Sequence, residues 1–174
     1  MTTSLYELSV ASQLQTVAAM AGFLDRAAQH FVATGRDPDH FVGARLFDDM
    51  APLHFQVEAV AHHAAWGVEA LRTGVFAPPG LVGSQPFANL QAMIAEAVKA
   101  LEAFTPDEVN SWGGKELDLQ IGPRRLQFTA ETFMLSFSVP NVHFHATTAY
   151  AILRTRGVPL GKRDYEGRLR VRQG

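Results

Sequence analysis

The polar residues best spaced to do chemistry together in this 174-residue chain are Asn141, His145 and Thr148, followed by Ile152 at intervals of four, three and four. On a helix that spacing stacks an amide, an imidazole and a hydroxyl along one stripe, a turn apart. Gln56 and His63 are seven apart and share a face of another helix, beside an apolar seam of Val57, Val60 and Ala64. Buried imidazoles and amides must find partners. Here the partners are each other, a water, a metal or a ligand. An imidazole that titrates near neutrality suits a general base or a ligand atom, which makes His145 the candidate catalytic residue, with Gln56 and Asn141 orienting a substrate or water. In the alternative, the same amides and imidazole form a buried layer that only sets helix register.

A zinc site needs three nitrogen or oxygen donors converging on one point. His145 and His63 supply two, and a third would have to come from Asn141, Gln56 or His54, of which the amides are poor zinc ligands. No His-x-x-x-His pair exists, because Asn141 and Ala149 flank His145 at four residues. His62 and His54 lie elsewhere on the second helix, and His143 is on another face from His145. A pocket free of resident metal is therefore expected, with a divalent metal (zinc or nickel) as the alternative. Other catalytic signatures are missing: no glycine-rich phosphate loop, no Gly-x-Ser-x-Gly elbow, and no base beside Ser111 or Ser136.

Four helical blocks must position these groups. The first spans about 3–33, with Val10, Leu14, Val17, Ala21, Leu24, Ala28 and Phe31 at helical period and Gly35 and Pro38 beyond it. The second spans 48–72, opened by Asp48 and Asp49 as N-cap charges, with a stripe from Met50 through Leu53, Val57, Val60, Ala64 and Gly67 to Leu71. Gly74 and Pro78-Pro79 end it. The third spans 84–104, with Ser84 as N-cap and Phe87, Leu90, Ile94, Ala97, Leu101 and Phe104 inward. Thr105-Pro106-Asp107-Glu108 then reads as a capping box opening a short turn of helix. Between 115 and 130 the period changes to two: Leu117, Leu119 and Ile121 alternate with polar residues, as do Leu126 and Phe128, across Gly122-Pro123. That is a β-hairpin, too small to stand alone and so laid on the helices. The fourth block spans 131–156, with a seam of Phe133, Phe137, Pro140, Phe144, Thr147 and Ala151, a kink at Pro140, and Gly157 and Pro159 after it. The expected architecture is all-α, one domain over 1–174, a helix bundle with a hairpin before its last helix. Tyr150, Lys162 and Asp164 would reach the pocket mouth from the end of that helix.

Composition narrows the function classes. Charged residues are 18% of the chain and apolar residues 47%, so it folds around a core; the formal charge of -2 lacks the basic excess of a nucleic-acid binder. There is no cysteine, which removes disulfides, thiolate zinc sites and a cysteine nucleophile. No apolar run approaches the ~18 residues of a membrane span, and the start, Met1-Thr2-Thr3-Ser4-Leu5, lacks a basic leader. The expectation is a cytoplasmic domain with no nucleic-acid or membrane partner. The tail from Lys162 carries five cations (Lys162, Arg163, Arg168, Arg170, Arg172) against Asp164 and Glu166. It reads as a solvated end, or else as an anion-binding rim or a subunit-exchange arm.

The stretch Pro140-Asn141-Val142-His143-Phe144-His145-Ala146-Thr147-Thr148-Ala149-Tyr150-Ala151-Ile152-Leu153-Arg154 resembles the last helix of an uncharacterised bacterial domain-of-unknown-function family. Its continuation, Gly157-Val158-Pro159-Leu160-Gly161-Lys162-Arg163-Asp164-Tyr165-Glu166-Gly167, resembles that family's ending, and Met50-Ala51-Pro52-Leu53 with Gln56 its second helix. That family is grouped with the DinB/YfiT-like four-helix bundles. The resemblance implies an up-down-down-up bundle with one long crossover, a homodimer, and a metalloenzyme ancestry in which some relatives transfer or hydrolyse with low-molecular-weight thiols. It also implies a divalent metal held by one second-helix histidine and a His-x-x-x-His pair on the fourth. Counted back from Leu153-Arg154 and Gly157, His145 falls at the second histidine of that pair and Asn141 at the first. Gln56 and His63 are the inward candidates for the second-helix position. The resemblance therefore implies a retained pocket with an altered metal site.

Overall fold

The computed structural model of the protein describes residues 3–171. Met1, Thr2 and the tail residues Arg172, Gln173 and Gly174 lie outside them. The chain is mostly helical with one antiparallel hairpin. Helix α1 (Ser12–Ala33) continues a π turn, Glu7–Ala11. Helix α2 (Leu53–Ala61) runs through a π turn at His62–Trp66 into α3 (Gly67–Thr73). Then come α4 (Phe87–Glu102), the short α5 (Pro106–Asn110), strands β1 (Glu116–Ile121) and β2 (Arg124–Thr129), and α6 (Ala130–Phe133). A third π turn, Met134–Ser138, joins α6 to α7 (Val139–Thr155), and α8 (Lys162–Glu166) follows. The long helices pack as a ring: α1 lies against α4 and α7, and α2 lies against the same two. Apolar side chains from all of them fill the space between, with Phe23, Phe31, Phe87, Phe133 and Met20 among the largest that water does not reach. Among the described residues, no helix is long and apolar enough to cross a membrane.

Helix starts differ from expectation. Leu53 opens the second helix after Pro52, and Asp48 and Asp49 stand exposed in the preceding loop. Proline already holds the extended-to-helical φ and has no N–H to leave unpaired, so it displaces the acidic cap. Pro86, not Ser84, precedes α4 for the same reason, and the Asp39 carboxylate accepts the Phe87 N–H at 2.6 Å. Thr105 does cap α5, accepting the Glu108 N–H at 3.3 Å. Gly74 closes the second helix at φ +79°, a left-handed conformation that glycine adopts without strain.

The fourth helix departs most. The π turn occupies the residues just before Pro140, where a kink was expected. Proline gives no N–H to the Ser136 carbonyl and its ring crowds that oxygen; widening the turn relieves both. One extra residue turns the following helix by about 100° relative to an unbroken one. The buried stripe therefore passes from Phe133 and Met134 to Ser138, Val142, Ala146, Ala149 and Leu153. The expected seam is corrected: Pro140, Phe144 and Thr147 face outward, Phe144 at 58% exposure.

The hairpin has the expected ends, with Ile121 paired to Arg124 across Gly122-Pro123. Leu117 and Leu119 of β1 are buried; Ile121 at the tip and Leu126, opposite Leu119, are exposed. The segment after α3 pairs with β1: the Phe76 N–H donates to Asp118 C=O at 3.2 Å and the Asp118 N–H to Gly74 C=O at 2.9 Å. The tail is not simply a solvated end. Asp164 Oδ2 accepts the Gly161 N–H at 2.7 Å to start α8, and its other oxygen pairs with Arg26 at 3.2 Å. Gln15 donates to the Glu166 carbonyl at 2.9 Å, and Arg170 pairs with Glu7, so the C-terminal segment straps back over α1.

Candidate functional site

Helices α2 and α7 bring Gln56 and His145 together. The Gln56 side chain is buried, and its Nε2 donates to Ala51 C=O at 2.9 Å. That bond orients the amide so that Oε1 faces His145 Nδ1 at 2.8 Å. A carbonyl oxygen only accepts, so the network assigns the proton to Nδ1 and leaves the Nε2 lone pair free. His63, on the π turn after α2, lies 5.8 Å from His145 between ring centroids, the planes 8° apart. Phe76 stacks on His63 at 5.5 Å and 11°. Phe137 meets His63 edge-on, and Phe55 and Phe144 meet His145 edge-on.

Both imidazoles are neutral at pH 7. Burial, then the neighbouring His145 and His62, push the His63 pKa down to about 4; burial also lowers that of His145. His63 Nδ1 is buried and has no hydrogen-bond partner, as is true of His54 Nδ1 on the preceding turns. The π turn also frees backbone. Gly67 N–H turns to Ala64 C=O, and the His63 carbonyl is taken by Ser138 Oγ at 2.6 Å, itself accepting from buried Gln13 Nε2 at 2.7 Å. Gly67 makes room for this contact, since a Cβ there would clash with Ser138 Oγ.

The other expected site residues bond elsewhere. Asn141 turns its amide to the Phe137 carbonyl at 2.7 Å, in the π turn. Thr148 is buried and donates to Phe144 C=O at 2.8 Å. Tyr150 donates to Leu160 C=O at 3.4 Å and packs edge-on against Phe23 and Tyr165. Lys162 pairs with Glu166 at 3.0 Å, and Asp164 with Arg26. Thus the structure joins Gln56, His63 and His145, and ties Tyr150, Lys162 and Asp164 to the C-terminal segment. The donor set does not fit the three-ligand metal centre that the resemblance implies: among the described residues, no three histidine or carboxylate side chains converge, and Asn141, at the first position of the pair, spends its amide on backbone.

Sequence reasoning missed Phe76, Ser138, Gln13 and Glu58. Gln13 was visible as a polar residue between Val10 and Val17 on a buried stripe. Glu58 was visible as a carboxylate among Val57, Ala59 and Val60, one turn from His54 and from His62. It is 1% exposed and accepts the Val82 and Gly83 N–H groups, holding down the loop between α3 and α4. Nothing local marks Phe76, which reaches His63 only because β1 pairs with its backbone.

Comparison with solved structures gives the class. The fold matches that of a DinB family member protein from Shewanella denitrificans, with a TM-score of 0.80 and 26% identity over 98% of this chain and 96% of that one. No curated protein matches the chain. Residues 5–166 match the family described as Domain of unknown function (DUF1993), and the chain belongs to that family, within the DinB-like superfamily.

Proposed function

We propose that the His63–His145 pair is the binding site for a small neutral ligand, carried on a four-helix bundle of the DinB/YfiT arrangement with one long crossover. The ring of helix contacts supports the bundle. The observation that carries the ligand reading is the pair of imidazole nitrogens left without protein partners: His145 Nε2 by the tautomer that Gln56 imposes, and buried His63 Nδ1. A layer that served only to fix register would satisfy its members. The ring neighbours are Phe55, Phe76, Phe137 and Phe144. A neutral, flat molecule that offers one O–H or N–H to His145 Nε2 suits these aromatic neighbours, and a neutral His145 can accept that proton as a general base.

Phenol tests this. Titration followed through the histidine ring signals in NMR should shift His145 and His63 saturably, and His145→Ala should abolish the response. Benzene, which lacks the donor, should bind more weakly. Ring signals that do not move, with a His145→Ala variant that only loses stability, would leave a structural polar layer. The same reading takes the protein as a homodimer through the outer face of α7, where Phe144 is exposed beside Leu46.

A further inference from the structure

A second cleft lies on the other side of the 62–66 π turn, between it and α4. Two adjoining hollows of about 290 and 320 Å³ share Ala65, Trp66 and Ala100. Ala61, Ala65, Ala97 and Ala100 make its floor, small enough to leave the Trp66 indole standing at 40% exposure. Trp66 is on the π turn, and among the described residues no other aromatic ring stacks on it or meets it edge-on. Val82 and Pro79 form the opposite wall. That wall is held in place: the Val82 and Gly83 N–H groups donate to Glu58, a carboxylate 1% exposed.

The charges around the cleft are one-sided. Glu96 lines it and, among the described residues, has no ion-pair partner. Glu69 lines the second hollow with its carboxylate on Arg72. Glu58 has backbone donors and no Lys or Arg partner among the described residues. Among the described residues, no Lys or Arg lines either hollow. His62 lines it too, and burial holds its pKa below the ordinary value, so at pH 7 it adds no positive charge. An indole face beside the unpaired Glu96 carboxylate over an apolar floor attracts a cation that is itself apolar, because the ring quadrupole and the carboxylate favour the charge while the alanines favour its alkyl surface.

We propose that the cleft formed by Trp66, the alanine floor and Glu96 is a binding site for a small organic cation of the alkylammonium class. It is separate from the His63–His145 site and does not depend on that reading.

Choline and its uncharged isostere 3,3-dimethylbutan-1-ol test it on the full chain. Trp66 fluorescence should change saturably with choline, against the constant signal of buried Trp112. The isostere should bind about tenfold more weakly, the worth of a cation on an indole face. Glu96→Gln, at an exposed position, should keep the helical circular dichroism and weaken choline about threefold to fivefold. By calorimetry, Trp66→Leu should lose choline binding. No saturable change with choline, equal binding of the isostere, or choline binding unaltered in both variants would overturn the proposal.

Discussion

Ser138 Oγ stands 2.6 Å from the His63 carbonyl and joins two π turns, one on the second long helix and one on the fourth. Gln13, just past the Glu7–Ala11 π turn, donates to the same hydroxyl. A π turn takes a carbonyl off its usual i+4 partner, and in a buried place that oxygen needs another donor. The serine supplies it, and Gly67 leaves the space.

Adding a methyl group at that space should be costly. Gly67→Ala is expected to lose ~1–3 kcal/mol to overpacking against Ser138 Oγ. Ser138→Ala should lose ~1–3 kcal/mol, since it strands Gln13 and the His63 carbonyl. With the hydroxyl gone, the alanine at 67 should cost less than it does in the native chain. Urea denaturation of the two single variants and the double variant measures that coupling. Equal costs of Gly67→Ala in both backgrounds would exclude the clash as the cause.

The Gln56–His145 contact sets both a tautomer and a charge state. Replacing the amide by a carboxylate, Gln56→Glu, puts a negative charge where the 2.8 Å contact now lies. His145, now held low by burial, should then titrate above its ordinary value of 6.5. Gln56→Leu should instead cost ~1–3 kcal/mol by leaving Nδ1–H without an acceptor. NMR titration of the His145 ring decides the first point, and a pKa that does not rise would mean the two groups are not in contact in solution.

Stability should fall with acid through the histidines. His63 has a folded pKa of about 4, below the ordinary 6.5, chiefly because it is buried. Between those values the unfolded chain binds a proton that the native state refuses, so the contribution present above pH 6.5 is lost as the pH drops toward 4. It amounts to roughly 1–2 kcal/mol once the part of the ring that water reaches is allowed for. Urea midpoints at pH 7.5 and 4.5 should converge in His63→Phe more than in the native protein. Identical pH dependence in both would remove His63 as the source.

The outer face of α7 should carry the homodimer. Phe144 projects there at 58% exposure, beside Leu46. Phe144→Glu is expected to halve the mass seen by light scattering on a sizing column while leaving the helical content intact. A native protein that runs as a monomer across the micromolar range would end this reading.

Much of the helical pattern was readable because burial leaves a period. In the first three helices Val10, Val17, Leu24 and Phe31, then Leu53, Val57 and Val60, then Phe87, Leu90 and Ile94 are buried as their spacing implies. The hairpin was readable from its change of period, and Gly74 from its position after the last apolar residue. The fourth helix was misread for one reason. A π turn inserts a residue without any signature in composition, so a stripe extrapolated from Phe133 and Phe137 arrives on the wrong face at Phe144.

The candidate site divides along the same line. By itself, the sequence determined that an imidazole and an amide sit at His145 and Gln56 on two apolar helices, because residue type and helical spacing are local properties. It also placed Asn141 one turn before His145, at the first histidine of the pair that the DinB/YfiT resemblance implies. It took the packing of the helices to bring Gln56 to His145, Phe76 over His63, and Tyr150, Lys162 and Asp164 to the C-terminal strap. Those contacts join residues far apart along the chain, and their geometry depends on how each helix is rotated about its axis. Here that rotation is set by the π turns, and by a hairpin pairing that carries Phe76 to the site.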